Sequence, residues 1–151
     1  MPNFTAPAVS SRAEGERKGE SVAVLSVTDN DIDHCQLQTI LNGSCTMERV
    51  CNAVSLRAAL RRQPFSVILW DSDSMGAGWQ AYAAERGAGC SSGPALIVTS
   101  RLADASLWAE ALNLGAWDVL AKPYEAQEVR RVLSMALAHT DTMTAAVGAG
   151  D

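Results

Sequence analysis

Short apolar segments alternate along this sequence with segments of helical periodicity, and this alternation constrains the fold more than any other feature. The apolar segments predict strands at residues 22–27, 47–52, 66–70, 95–99 and 117–121, of which 47–52 is the weakest. The intervening periodicity predicts helices at 31–41, 55–63, 78–85, 104–114 and 125–139. Because strands that are apolar throughout lie in a parallel sheet covered on both faces, the pattern predicts an α/β fold.

Right-handed crossovers between these units give a doubly wound sheet with helices on both faces. Ser55 is predicted to cap the second helix, which Pro64 ends, and Gly115 is predicted to follow the fourth helix as its C′ residue. Residues 1–20 and 140–151 are polar or small and show no period, so both are predicted to be disordered tails around one domain at 21–139.

Composition excludes several classes of function. The chain of 151 residues carries a formal net charge of −5, which does not suit a nucleic-acid-binding surface. It contains neither an apolar run long enough to span a membrane nor a secretory signal, so a cytoplasmic protein without a membrane partner is expected. Its cysteines (Cys35, Cys45, Cys51 and Cys90) show no zinc-site spacing with His34 or His139, and we interpret them as ordinary thiols.

Residues with complementary chemistry follow the predicted strands. Asp29 comes after the first strand, Asp71 and Asp73 after the third, Thr99 ends the fourth, and Lys122 follows the fifth. In doubly wound sheets these carboxyl ends meet at one edge, where ligands bind. Clustered carboxylates favour a hard cation such as Mg²⁺, and a carboxylate can act as a nucleophile toward phosphorus.

Taken singly, each of these residues has a simpler explanation. Aspartates after strands are common helix caps, and an isolated threonine or Lys-Pro pair carries no functional information. Lys122 is nevertheless the only lysine in 21–139, where every other basic residue except the histidines is an arginine. The conjunction of acids, a hydroxyl and an ammonium at neighbouring strand ends favours a functional site.

These segments give the chain a resemblance to the receiver domain of two-component response regulators. The resemblance covers residues 21–139 and is carried by VAVLSVTDND, SVILWDSD, ALIVTS and DVLAKPY, in the family's order and spacing. It implies a flavodoxin-like fold with a five-stranded parallel sheet in the order 2-1-3-4-5.

By this resemblance Asp71 is the phosphoacceptor, and Thr99 and Lys122 contact the phosphoryl group. The resemblance also implies that Mg²⁺ is bound by the carboxylates of Asp29 and Asp71 and by the backbone carbonyl of Asp73. The phosphoryl donor would be a histidine kinase or phosphotransfer protein, and the Lys122–Pro123 bond is expected to be cis. The resemblance implies a single-domain regulator that acts by contact with a downstream protein and at most hydrolyses its own acyl phosphate, and so is not an enzyme. Self-association into a homodimer is left open.

Three positions depart from the family pattern. Thr28 replaces the first of two consecutive acids, Met75 stands where a proline is usual, and Val119 stands where the switch aromatic is usual. Trp117, predicted to lie on the same strand face as Val119, and Tyr124 are candidate substitutes. With Leu107 and Trp108 they would supply apolar anchors on a contact surface formed by the last two helices and the fifth strand, unless the tryptophans pack in the core.

Three alternatives are weighed against this interpretation. A pseudo-receiver would keep the fold as a protein-interaction module without regulated phosphorylation, and Thr28 and Val119 favour it. A haloacid-dehalogenase-like phosphohydrolase shares the Asp-Ser-Asp-Ser motif at 71–74, but its acidic motifs follow a different chain order. A dinucleotide site at Gly76-Ala77-Gly78 is disfavoured because this motif follows the third strand after an acidic loop.

Overall fold

A five-stranded parallel sheet forms the centre of the computed structural model, which describes residues 22–76, 78–86 and 93–150. The strands are β1 (Ala23–Val27), β2 (Thr46–Val50), β3 (Val67–Asp71), β4 (Ala95–Ser100) and β5 (Asp118–Ala121). Their order is β2-β1-β3-β4-β5, and every neighbouring pair is parallel. The predicted fold class and strand order are therefore confirmed.

The helices cover both faces of this sheet. They are α1 (Asp31–Ile40), α2 (Ala53–Arg62), α3 (Gly78–Arg86), α4 (Ala105–Asn113) and α5 (Ala126–Gly150), and a one-turn helix, Ser72–Met75, follows β3. Buried residues of α2, α3 and α4 pack with one face of the sheet in what we name the first cluster. Buried residues of α1 and α5 pack with the opposite face in the second cluster.

The central strands explain why the sequence selects this arrangement. All five residues of β1 and all five of β3 are buried. Their side chains alternate between the two clusters, with Leu25 and Val27 in the first and Val24 in the second. Full burial of such a side chain contributes about 1.5–3 kcal/mol, so only a sheet covered on both faces satisfies these segments. At the edge of the sheet, β2 is mostly exposed or half-buried, which accounts for its weak sequence signal.

Two predicted helix boundaries were wrong by two residues or more. The N-cap of α2 is Asn52 rather than Ser55, because the Asn52 side chain accepts a hydrogen bond of 2.8 Å from the Ser55 backbone N–H. The last helix was predicted to end at His139, with a disordered tail over 140–151, but α5 continues to Gly150. No proline interrupts residues 140–150, and adding residues to an existing helix avoids the cost of nucleation.

Other predictions have mixed outcomes. Gly115 follows α4 with a φ of 98°, as expected for a C′ glycine, and the Lys122–Pro123 bond is cis. Residues 1–20, which the sequence predicts to be a disordered tail, lie outside the described residues. Within the described part of the chain, no helix is long and apolar enough to cross a membrane.

Candidate functional site

The carboxyl ends of four strands meet around a cavity of about 390 Å³. Asp71 is the last residue of β3 and pairs with Thr99 of β4, while Thr28 and Lys122 directly follow β1 and β5. The cavity is lined by Asn30, Ile32, Asp33, Gln36, Asp71, Asp73, Ser74, Arg101, Lys122 and Pro123. The topology therefore brings Asp71, Asp73, Thr99 and Lys122 to one edge of the sheet, as the sequence predicted.

The Asp71 carboxylate is buried, with its side chain 3% exposed, and both of its oxygens accept hydrogen bonds. Oδ1 accepts from the Lys122 ammonium at 2.7 Å and from the Asp73 backbone N–H at 3.0 Å. Oδ2 accepts from the Thr28 hydroxyl at 2.7 Å and from the Ser74 hydroxyl at 2.9 Å. Burial alone raises the pKa of Asp71, but the bonds from Lys122, Thr28 and Ser74 and the lysine charge outweigh it and hold the pKa below its ordinary value.

Lys122 is the cation of this site. Its side chain is 6% exposed, and its Nζ lies 2.5 Å from Asp33, 2.7 Å from Asp71 and 3.3 Å from Asp73. Burial lowers the pKa of Lys122, but its hydrogen bonds to Asp33 and Asp71 outweigh this effect and raise the pKa above its ordinary value. Lys122 therefore stays charged at neutral pH and neutralises part of the negative charge of three carboxylates.

The Asp73 side chain joins the end of β3 to the loop after β4. Its carboxylate accepts hydrogen bonds from the Ser100 hydroxyl at 3.1 Å and the Arg101 backbone N–H at 2.9 Å, and the Arg101 side chain lies 3.4 Å away. Burial raises the pKa of Asp73, while the bonds from Arg101, Lys122 and Ser100 lower it more, so this carboxyl is also ionised at neutral pH. The Asp73 carboxylate therefore contacts the first residue of the loop that follows β4.

Thr99 lies near an aromatic residue, Tyr124, that does not stand at the aromatic position of the receiver pattern. The Thr99 hydroxyl lies near enough to Tyr124 to lower the pKa of Tyr124, while Val119, at the position where receivers carry an aromatic residue, is buried in the first cluster. Burial raises the pKa of Tyr124 to about 12, and the nearby Thr99 hydroxyl and Lys122 charge offset only part of that rise. Of the two substitutes named from the sequence, Tyr124 is therefore the one that lies near Thr99.

Trp117 does not lie where the sequence suggested. It precedes β5, whose first residue is Asp118, and packs against the second cluster rather than with Val119 in the first. The alternation of a strand does not extend to a residue outside it, and this is why the prediction was wrong. On α4, Trp108 is 38% exposed, so this tryptophan is not a core residue.

The predicted magnesium ligands are only partly brought together. Asp71 and Asp73 line the cavity, but Asp29 is exposed and is not among its lining residues. Lys122 lies among the carboxylates, and the Thr28 hydroxyl bonds to Asp71 where the family has an acid. Within residues 22–76, 78–86 and 93–150, no group of three or more acid, histidine or cysteine side chains could hold a metal ion. The predicted Mg²⁺ site, with Asp29, Asp71 and the Asp73 backbone carbonyl as its ligands, stays a prediction.

Sequence reasoning missed two residues of this site. Asp33 lies in the first turn of α1 and pairs with Lys122, and Ser74 donates to Asp71 while accepting from the Asp29 backbone N–H at 3.0 Å. An acid in a first helical turn is usually explained by the helix dipole, so Asp33 gave no separate signal. The spacing of three residues between Asp71 and Ser74, one turn of helix, was the available sign for Ser74.

The described cysteines do not contribute to the site. Cys35 and Cys51 are exposed, Cys45 is half-buried, and all three are free thiols. Burial raises the pKa of the Cys45 thiol, which makes it less reactive. Cys90 lies outside the described residues.

Comparison with known proteins identifies the fold. No protein-family model matches the sequence, and no curated protein sequence matches it significantly. Among solved structures, the signal receiver domain of an HD domain-containing protein from Pseudomonas fluorescens Pf-5 is 21% identical, with a TM-score of 0.69 over 82% of this chain and 99% of that chain. A response regulator from Thermotoga maritima is 16% identical, with a TM-score of 0.70 over 79% of this chain and 99% of that chain.

A third similar structure is described as an atypical orphan response regulator with a new phosphorylation-independent regulatory mechanism. It is 14% identical, with a TM-score of 0.65 over 78% of this chain and 96% of that chain. The chain therefore has the receiver-domain fold of response regulators, and it spans nearly the whole length of these structures.

Proposed function

We propose that this protein is a response-regulator receiver in which Asp71 accepts a phosphoryl group from the phosphohistidine of a kinase or phosphotransfer protein. The observation that carries the proposal is the Asp71–Lys122 pair, 2.7 Å apart in a cavity at the carboxyl edge of a receiver-fold sheet. A carboxylate held ionised at neutral pH is the form that attacks phosphorus. The lysine beside it compensates the charge that the phosphoryl group adds.

In the proposed transfer, an Asp71 oxygen forms a bond to phosphorus while the bond from phosphorus to the donor's imidazole nitrogen breaks. The electron pair of that bond returns to the imidazole, and the product is an acyl phosphate. Because each Asp71 oxygen already accepts two hydrogen bonds, at least one bond must open before the attack. Lys122 is then the donor to a phosphoryl oxygen, and Thr99, adjacent in the sheet, supplies a hydroxyl.

Communication to a partner would follow from these contacts. If Thr99 turns toward the phosphoryl group, it moves relative to the nearby Tyr124 side chain, and Tyr124 precedes α5. On α4, Trp108 and Leu112 are 38% and 47% exposed and lie four residues apart, hence on one face of the helix. We propose this face of α4 as the surface that contacts a downstream protein. A shift between two states requires that the partner binds one state better than the other.

A second candidate function is favoured by a specific observation. Thr28 and Ser74 both donate to the same Asp71 oxygen, and Thr28 takes the place of an acid that would help to hold a metal. These bonds stabilise the unphosphorylated carboxylate. A receiver held in this form would serve as a protein-interaction module that phosphorylation does not regulate.

Intact-mass spectrometry after incubation with acetyl phosphate separates these candidates. We expect the wild type to gain one phosphoryl group and Asp71→Asn to gain none. Asp104→Asn is the matched control, because Asp104 is an exposed N-cap of α4 and asparagine caps equally well. No gain in the wild type, either from acetyl phosphate or from phosphoramidate, would favour the unphosphorylated module.

Parallel reactions test two remaining predictions. Reactions with Mg²⁺ and with a chelator decide whether phosphorylation needs magnesium, as the resemblance to receivers implies. Turnover of a phosphomonoester such as p-nitrophenyl phosphate would indicate a phosphohydrolase. We expect none beyond hydrolysis of the protein's own acyl phosphate.

A further inference from the structure

One carboxylate of the Asp71 cavity takes no part in the proposed transfer. Asp33 lies in the first turn of α1 and lines the same cavity as Asp71 and Lys122. Its side chain is 15% exposed, and its Oδ2 accepts a hydrogen bond of 2.5 Å from the Lys122 ammonium. The side chain of Asn30, which caps α1, accepts from the Asp33 backbone N–H at 3.0 Å. The start of α1 therefore fixes Asp33 beside Lys122.

Lys122 divides its charge between Asp33 and the proposed phosphoacceptor. Its Nζ lies 2.5 Å from Asp33 and 2.7 Å from Asp71, and Asp73 is a further 3.3 Å neighbour. An ammonium has three N–H donors, so these three carboxylates suffice to engage all of them. The cation that the transfer needs for a phosphoryl oxygen is thus already surrounded by carboxylates, and Asp33 is the nearest of them.

The charge of the cavity indicates what Asp33 does to an incoming phosphoryl group. The lining carries a net charge of −1, from three aspartates and the two cations Arg101 and Lys122. A phosphorylated side chain carries a charge of about −1.5 to −2 at neutral pH, and like charges in one site disfavour each other. Asp71 is the nucleophile and Asp73 bonds to the loop after β4, which leaves Asp33 as the aspartate with neither role.

We propose that Asp33 is a positioning residue that restrains phosphorylation of Asp71. In the unphosphorylated protein it holds the Lys122 ammonium and repels an approaching anionic phosphoryl donor. Loss of its charge frees one Lys122 N–H for a phosphoryl oxygen and makes the cavity lining neutral. This inference rests on the proposed function, since it concerns the rate at which Asp71 accepts a phosphoryl group.

Initial rates of phosphorylation test the proposal, measured by intact-mass spectrometry of the full chain with acetyl phosphate and Mg²⁺. We expect Asp33→Asn to be phosphorylated severalfold faster than the wild type, and Asp33→Glu, which keeps the charge, to stay close to the wild-type rate. Asp31→Asn is the matched control, because it removes the same charge from the same turn of α1. The Asp31 side chain is 80% exposed and pairs with Arg49 rather than with Lys122, so its loss should leave the rate unchanged.

The charge of the donor separates an electrostatic role of Asp33 from a change in the shape of the cavity. Acetyl phosphate is a dianion at neutral pH and phosphoramidate is a monoanion. The gain in rate of Asp33→Asn over the wild type should therefore be larger with acetyl phosphate, whereas a change in shape would give equal gains with both donors. Asp33→Ala, checked for folding by circular dichroism, should show the same preference and removes any hydrogen bond that asparagine keeps to Lys122.

The outcomes distinguish this inference from the function on which it rests. If the wild type is phosphorylated at Asp71 but neither Asp33→Asn nor Asp33→Ala is faster than Asp31→Asn, the inference is refuted and the proposed function stands. Equal gains with the two donors would refute it as well. Phosphorylation of Asp33→Asn but not of the wild type would support both. If no protein gains a phosphoryl group from either donor, the proposed function fails and this inference fails with it.

Discussion

Substituting Thr28 by valine isolates the contact by which this site departs from the receiver pattern that the sequence resembles. Thr28 is 2% exposed, and its hydroxyl donates to Asp71 Oδ2 at 2.7 Å while accepting from the exposed Asn30 backbone N–H at 3.0 Å. Valine keeps the branched shape and removes only the hydroxyl. Water can replace the acceptor of the exposed Asn30 N–H, so the main loss is the hydrogen bond to a buried carboxylate.

The expected magnitude follows from the charge of the acceptor. A hydrogen bond to an ionised group contributes about 1.5–3 kcal/mol, so we expect Thr28→Val to lower the free energy of unfolding by about 2 kcal/mol at neutral pH. For a chain of this length that corresponds to a fall in Tm of about 4–8 °C. In an Asp71→Asn background the acceptor is neutral, and the same substitution should cost about 1 kcal/mol less.

The pH dependence gives a second signature. The folded-state pKa of Asp71 lies below its ordinary value, so the stability it contributes is present above the unfolded-state pKa and is lost as pH falls through the folded-state pKa. Thr28→Val raises the folded-state pKa because it removes one donor to the charged form. Wild type and variant should therefore differ most near neutrality and converge in acid.

Urea unfolding at several pH values, followed by circular dichroism, measures both effects. Thr39→Val is the matched control, because Thr39 donates to a backbone carbonyl of α1 at an exposed site, and its substitution should change stability by less than about 0.5 kcal/mol. If Thr28→Val is as stable as the wild type at neutral pH, or if its deficit is the same in acid, the charge-assisted bond to Asp71 is refuted.

Three further predictions concern single contacts. Lys122→Met should lower the free energy of unfolding by about 3–5 kcal/mol at neutral pH, because it leaves buried carboxylates without their cation. The loss should be smaller in acid, where these carboxylates are protonated. Urea unfolding that shows no loss at neutral pH would contradict this role of Lys122. The pKa of Tyr124 is raised to about 12 in the folded state, so above about pH 10 this tyrosine ionises more readily in the unfolded state. The free energy of unfolding should therefore fall as pH rises from about 10 toward 12. Tyr124→Phe should make this alkaline fall smaller, as measured by thermal unfolding. Asn52→Ala should cost about 1 kcal/mol as the loss of an N-cap, whereas Ser55→Ala should cost little; the reverse order in urea unfolding would restore Ser55 as the cap.

Much of the candidate site could be predicted because it depends on sequence order alone. Once five apolar strands are assigned to a parallel sheet, the residues that follow them must meet at one edge, and Asp71, Thr99 and Lys122 do so. The identity of the hydrogen-bond partners of Asp71 and Lys122 could not be derived in this way. Ser74 reaches Asp71 because one helical turn follows β3, and Asp33 reaches Lys122 from a helix 89 residues away in sequence.

The position of Tyr124 illustrates a limit of the same kind. Tyr124 lies near Thr99 because β4 and β5 are neighbours in the sheet, so that their carboxyl ends lie side by side. Sequence periodicity describes which face a residue takes within an element, but Tyr124 lies in none. Trp117, also outside a strand, was misplaced for this reason.

The sequence by itself determined the architecture, because the pattern of apolar residues is a property of each segment and the burial of that pattern needs only a sheet between two helical layers. It also determined which chemical groups lie at the functional edge. Only the tertiary structure decided that Asp71 is held by Thr28 and Ser74, that Lys122 lies among three carboxylates, and that Asp29 stays exposed. These features depend on distances and directions between segments far apart in the chain, and hydrogen bonds and ion pairs, unlike apolar burial, are sensitive to both.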